Sequence, residues 1–172
     1  MKSFRLLALS ALITVGSVGT VVYTSCTKDE CKNVTCLNGG TCSGGTCTCP
    51  TGYTGSSCQT RAFVGSWTGS DVCSPSLTTG TIVITLANST ADTTAVVITN
   101  AGGYAGTFNG TLSTDAKTIT YSNRIVNNTI GGVTYSDTLT GSMTLTSNNA
   151  FTHSYIDKQG VSYTCTGTYS RL

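Results

Sequence analysis

Residues 163–169 read Tyr-Thr-Cys-Thr-Gly-Thr-Tyr, with Tyr163, Cys165, Gly167 and Tyr169 in one phase and three threonines in the other. A period of two places the two sets on opposite faces of a strand. The same period recurs upstream in Ile82, Ile84 and Leu86, in Tyr104, Gly106, Phe108, Gly110 and Leu112, in Leu139, Gly141, Met143 and Leu145, and in Phe151, His153 and Tyr155. Turn signals separate these runs: Asn88-Ser89, Ala101-Gly102-Gly103, Thr114-Asp115, Gly131-Gly132, Asn148-Asn149 and Lys158-Gln159-Gly160. Residues 61–172 therefore read as about eight half-buried antiparallel strands, folded into a sandwich or closed into a barrel. Cys73 shares its parity with Phe63 and Trp67, and Cys165 with Tyr163 and Tyr169. A bridge between the two cysteines would join the first and last strands through their inner faces and close the sheet on itself.

Composition agrees with a mostly β chain. Only 9% of the residues are charged, against roughly 25% in a typical soluble protein, whereas exposed helices carry Glu, Lys and Arg on their solvent face. The formal charge of +2 includes Lys2 and Arg5; from Cys26 onward the nine basic residues fall to seven, balanced by seven acidic ones. A neutral chain without a Lys/Arg cluster lacks the charges that neutralise phosphates, which excludes nucleic acid as a partner.

The first 25 residues have the order of an export signal peptide. Lys2 and Arg5 open it, an uncharged and mostly apolar run extends from Leu6 to Tyr23, and Thr24 and Ser25 precede Cys26. A membrane-spanning anchor is the alternative, and Gly16, Ser17 and Gly19 interrupt the run that would form it. Tyr23-Thr24-Ser25-Cys26 resembles the bacterial lipobox, with Tyr23 where that motif has Leu. The resemblance implies cleavage before Cys26 and attachment of fatty acyl chains of the palmitate type to its thiol. In the tether 26–30, Lys28-Asp29-Glu30 resembles the surface-export signal of Bacteroidota lipoproteins. That implies a lipid-anchored protein of the outer membrane facing outward from the cell.

Nine cysteines leave one unpaired in an oxidising compartment, and lipidation of Cys26 accounts for it. Six of the other eight cluster as CKNVTCLNGGTCSGGTCTCPTGYTGSSC over residues 31–58. The spacing, the Asn38-Gly39-Gly40 turn and the Pro50-Thr51-Gly52-Tyr53-Thr54-Gly55 loop resemble an EGF-like domain. The resemblance implies Cys31 with Cys42, Cys36 with Cys47 and Cys49 with Cys58; spacing alone allows 15 pairings. A segment this short buries too little apolar surface to offset chain ordering, so the bridges serve as its core. A zinc module is the alternative use of clustered thiols, disfavoured by export and by the lack of a nearby His. Some EGF-like domains bind calcium through an acidic approach to the first Cys and an Asn/Asp with an aromatic between the third and fourth. Only Ser43-Gly44-Gly45-Thr46 lies between Cys42 and Cys47, so no calcium site, other metal or cofactor is expected.

Gly65-Ser66-Trp67 and the strand count resemble lipocalin-like domains, which close eight strands around a cavity; the whole layout is similar to small Bacteroidota lipoproteins. Gly65, Gly106, Gly110, Gly141 and Gly167 on the inner phase have two readings. Glycine permits coiling and close packing, or it leaves a ligand cavity lined by Trp67, Phe108, Phe151, Tyr155 and Tyr163. His153 lies mid-strand with no nucleophile motif beside it and reads as structural or surface, while Asp71, Asp92, Asp115, Asp137 and Asp157 are scattered and mostly beside turns. No catalytic residue is assigned. The Thr-rich faces read as cross-strand threonine pairing rather than ice binding, and Asp92-Thr93-Thr94 and Asp137-Thr138-Leu139 resemble the Bacteroidota O-glycosylation motif. The expected function is a non-enzymatic cell-surface interaction or adhesion module whose partner is an extracellular protein or glycan. The alternative is a lipocalin-like carrier of a small apolar ligand.

Overall fold

Residues 30–75, 77–130 and 132–172 are described by a computed structural model. The leader over 1–25, Cys26 and the tether as far as Asp29 lie outside the described residues. From Cys31 to Leu172 the chain is one compact unit.

The first part is small and disulfide-rich. It contains hairpins of β1 (Thr41–Ser43) with β2 (Thr46–Thr48) and of β3 (Tyr53–Thr54) with β4 (Thr60–Arg61). The first hairpin turns through Gly44 and Gly45, both at positive φ (55° and 77°), the backbone that a two-residue turn matched to strand twist requires. Cys31 bonds Cys42, Cys36 bonds Cys47, and Cys49 bonds Cys58.

Eight long antiparallel strands follow: β5 (Gly65–Ser74), β7 (Ile82–Asn88), β8 (Ala95–Thr99), β9 (Thr107–Leu112), β10 (Thr118–Ile130), β11 (Val133–Ser147), β12 (Ala150–Gln159) and β13 (Val161–Arg171). The two-residue β6 (Leu77–Thr78) lies beside the end of β5, and a 3₁₀ turn, η1 (Ala101–Gly103), follows β8. Each long strand pairs with the next in the chain, and β13 returns to pair with β5 from Arg171↔Trp67 to Thr164↔Ser74. That last ladder makes the sheet a closed barrel rather than a sandwich. The Cys73–Cys165 bridge joins directly opposed residues inside the seam.

Regular alternation breaks ahead of β9 and within β10, besides a register shift between Leu145 and Ser147 at the end of β11. The strand expected from Tyr104 begins at Thr107, because η1 and the positive φ of Gly106 (143°) occupy the chain before it. In β10 a bulge between Tyr121 and Arg124, with Asn123 at φ 50°, shifts the parity, so that Tyr121 and then Val126 face inward.

The barrel has two unlike ends. At the lower end, Phe63, Trp67, Phe151 and Tyr169 are fully buried and in ring contact, and the Trp67 indole donates to the Phe63 carbonyl at 2.8 Å. The Arg171 guanidinium lies 4.4 Å from the Trp67 ring centre and donates to the carbonyls of Ala62, Val64 and Asn148. The Asn148 side chain clasps the disulfide-rich part, accepting from Gly52 N at 3.0 Å and donating to the Tyr53 carbonyl at 2.9 Å. The small module thus stoppers this end.

At the upper end, β11 meets β12 only from Thr138↔Lys158 downward, whereas β10 and β11 continue pairing to Ile130↔Val133. The excess forms a two-stranded arm above the rim. β9 and β10 pair only through Leu112↔Ile119 and Thr111↔Thr120, low in the barrel.

Candidate functional site

The interior is apolar below and polar above. Asp71 on β5 is fully buried; its carboxylate accepts hydrogen bonds from the Tyr155 hydroxyl at 2.9 Å and the Tyr169 hydroxyl at 2.8 Å. Burial raises its pKa above the usual carboxylate range, and the two phenols partly offset this. Glycine makes the arrangement sterically possible, since a Cβ on Gly167 would stand 2.0 Å from an Asp71 oxygen. His153, also fully buried, stacks on Tyr155 with ring centres 4.5 Å apart, and its Nε2 lies 2.5 Å from the Tyr121 hydroxyl. Burial pushes its pKa down to about 3, so the ring is neutral at ordinary pH. A triad would place a nucleophile where Tyr121 stands.

Nearer the upper rim lie Asp137 on β11 and Asp157 on β12. Leu139 is directly opposite Asp157, so Asp137, two residues along on the same face, is its diagonal neighbour. Asp137 is 1% exposed and Asp157 6%. One Asp157 oxygen accepts from the Tyr104 hydroxyl; the other, and both oxygens of Asp137, have no hydrogen-bond partner among the described residues. Burial, and then the charge of Asp157, raises the Asp137 pKa. Tyr163 is opposite Asp157 on β13 and partly buried.

The five aspartates of the barrel domain thus divide. Asp92 and Asp115 cap exposed turns, accepting from Thr94 and from Ser113 and Lys117, and their pKa values are lowered by those bonds. Asp71, Asp137 and Asp157 point inside. Strand parity would have revealed them, since each falls in phase with an inward apolar neighbour: Cys73, Leu139 and Tyr155.

The five residues expected to line a cavity do not form one group. Trp67 and Phe151 belong to the lower stopper, Phe108 packs on Tyr121 with ring centres 5.0 Å apart, and Tyr155 bonds Asp71. Only Tyr163 stands beside the upper carboxylates. At Gly110 and Gly141 the missing side chain is replaced by a neighbour: a Cβ would stand 2.5 Å from Ile119 and 2.5 Å from the Tyr155 Cβ, respectively. These glycines admit neighbouring side chains, as the packing reading requires.

Replacing Asp71 by Ala is expected to cost about 3 kcal/mol in urea unfolding, because two buried phenol hydroxyls lose their acceptor at ~1 to 3 kcal/mol each. Asp71→Asn, which keeps one acceptor, is expected to cost less than half as much. Equal losses for the two variants would show that side-chain volume, not the hydrogen bonds, matters at this position.

No protein-family model and no curated protein matches the chain. Among solved structures it is similar to designed barrels, each covering 64% of this chain. One redesigned β-barrel has a TM-score of 0.47 at 15% identity over 92% of its own length. Another, mFAP0 bound to DFHBI, has a TM-score of 0.45 at 17% identity over 100%, and mFAP1 bound to DFHBI has 0.45 at 17% over 95%.

Proposed function

We propose that this chain is a non-enzymatic cell-surface lipoprotein of the Bacteroidota type, whose lipocalin-like barrel takes a small ligand at its upper end. In this reading acylated Cys26 anchors the chain at the outer membrane, and the EGF-like module stoppers the lower end of the barrel. The observation that carries the ligand reading is the contrast between the two ends. Aromatic rings and the small module fill the lower one, while the upper one buries three carboxylate oxygens without partners among the described residues. Such groups lower stability, and a barrel wall needs none of them. Convergent polar groups at the mouth of a barrel are what a binding site requires.

Adhesion to a protein or glycan is the other reading. It draws on the outer face of β12, β13 and β5, where Ser70, Val72, Thr152, Ser154, Thr166 and Thr168 line a shallow groove. That groove carries no charged side chain, and the interior offers the more specific chemistry.

The test uses the full chain extracted from its host membranes. Nonreduced peptide mapping is expected to find acyl chains on Cys26, and an environment-sensitive dye is expected to occupy one displaceable site. Absence of a displaceable site overturns the ligand reading. An unmodified Cys26 overturns the anchor and leaves the barrel reading intact.

A further inference from the structure

The unpartnered oxygens at the upper end specify a ligand chemistry more narrowly than a barrel does. We propose that Asp137 and Asp157 hold the ammonium group of a small primary alkylamine, with its alkyl chain lying along the inner face of the β10–β11 arm. This rests on the small-ligand reading above.

The first support is a match of donors to acceptors. Among the described residues both oxygens of Asp137 and one of Asp157 lack partners, and Asp137 is only 1% exposed. An ammonium group carries three N–H donors and no acceptor. Asp157 adds its charge to burial in raising the Asp137 pKa, and Arg124, opposite Leu139 on the same inner face, has a buried Nε that bonds neither carboxylate. The second support is the surroundings: Tyr163 lies opposite Asp157 and the Tyr104 hydroxyl already bonds it. Phenol rings accommodate cations on their faces.

The third support is the route out. Val126 pairs with Asp137, Asn128 with Tyr135 and Ile130 with Val133, so Tyr135 and Val133 lie on the same face of the arm as the buried carboxylate. They are 43% and 54% exposed and continue that face beyond the rim. An apolar strip leading away from a buried acidic pair suits a chain with a cationic head. A divalent metal fits less well, because calcium takes six to eight oxygens. No group of three His, Cys, Asp or Glu side chains able to hold a metal occurs among the described residues.

The test is calorimetric titration of the full chain in detergent with n-hexylammonium, n-hexanol, n-hexanoate, methylammonium and calcium. Saturable binding of n-hexylammonium is expected, with n-hexanol and n-hexanoate failing to bind. Asp137→Asn is expected to weaken that binding about tenfold or more, the loss of charge-assisted hydrogen bonds. Tyr135→Ser, on the exposed arm, should weaken n-hexylammonium while leaving methylammonium unchanged, which keeps the proposal testable if the buried variant misfolds. Equal binding of n-hexanol overturns the proposal, as does calcium binding that Asp137→Asn abolishes. So does an Asp137→Asn chain that melts higher than the parent while neither chain binds amine, because the two carboxyls would then simply share a proton. A displaceable dye site that n-hexylammonium does not compete for removes the amine proposal and spares the ligand reading; absence of any dye site removes both.

Discussion

Removing the Cys73–Cys165 bridge by the double substitution Cys73→Ala and Cys165→Ala is expected to destabilise the protein by about 4.6 kcal/mol, while the barrel still closes. The magnitude follows from the length of chain the bridge spans. Its cysteines are 92 residues apart, against 11, 11 and 9 for the other three bridges. In the chain-entropy account the constraint on the unfolded ensemble grows with the logarithm of loop length, reaching about 4.6 kcal/mol here and about 2.7 kcal/mol for each short loop. Retention of the fold follows from the seam itself, where β13 and β5 pair along eight successive residues from Arg171↔Trp67 to Thr164↔Ser74 without needing the sulfurs. Heat unfolding should move down by on the order of 15 °C for a unit of this size, with far-ultraviolet circular dichroism at low temperature unchanged. A shift in stability below about 1 kcal/mol would mean that the hydrogen-bonded seam already restricts the unfolded chain as much as the bridge does. Loss of the strand signal at low temperature would mean that the ladder cannot close the barrel alone.

How far the molecule can be read from its residues depends on which physical rule governs each part. Strands β7, β12 and β13, and β11 as far as Leu145, obey period two, and their inward residues are those that alternation indicates. β8 escapes because Ala95-Val96-Val97-Ile98-Thr99 is a continuous apolar run, in which Val96 and Ile98 are buried and Val97 only partly so. β10 escapes because its bulge puts Tyr121 and Val126 on the same face although their numbers differ in parity. The polar interior escapes for a different reason. Asp71, His153 and Asp157 each sit in phase with buried aromatics or cysteines, yet the general expense of burying charge argues for an outward placement. The pairing of Asp137 with Asp157 depends on the register of β11 against β12, which the turn at Asn148-Asn149 sets and which no local pattern reports.

A second large effect is expected from acid, and it originates in His153. An unfolded histidine takes up a proton near pH 6.5, whereas burial holds the folded ring neutral down to about pH 3. Between those values the unfolded chain binds the additional proton, so stability rises with pH there. The contribution is complete above pH 6.5, is lost progressively as the pH falls, and is gone near pH 3. Across a shift of this size the loss between pH 7 and pH 3.5 is on the order of 4 kcal/mol. Two inward carboxyls act in the opposite sense. Asp71 and Asp137 have raised values, so each binds its proton more readily folded than unfolded, and each adds stability as the pH falls toward 3.8. The measured acid curve is the sum, which is why the variant matters more than the parent curve. His153→Gln removes the titrating ring while leaving an acceptor for the Tyr121 hydroxyl. Lost stacking on Tyr155 should make it modestly less stable at pH 7. Between pH 7 and pH 3.5, however, it should lose about 4 kcal/mol less than the parent, measured by urea unfolding at each pH. Parallel curves would mean that the folded barrel accepts the proton at His153 as easily as water does, and that the ring is not held in a dry interior.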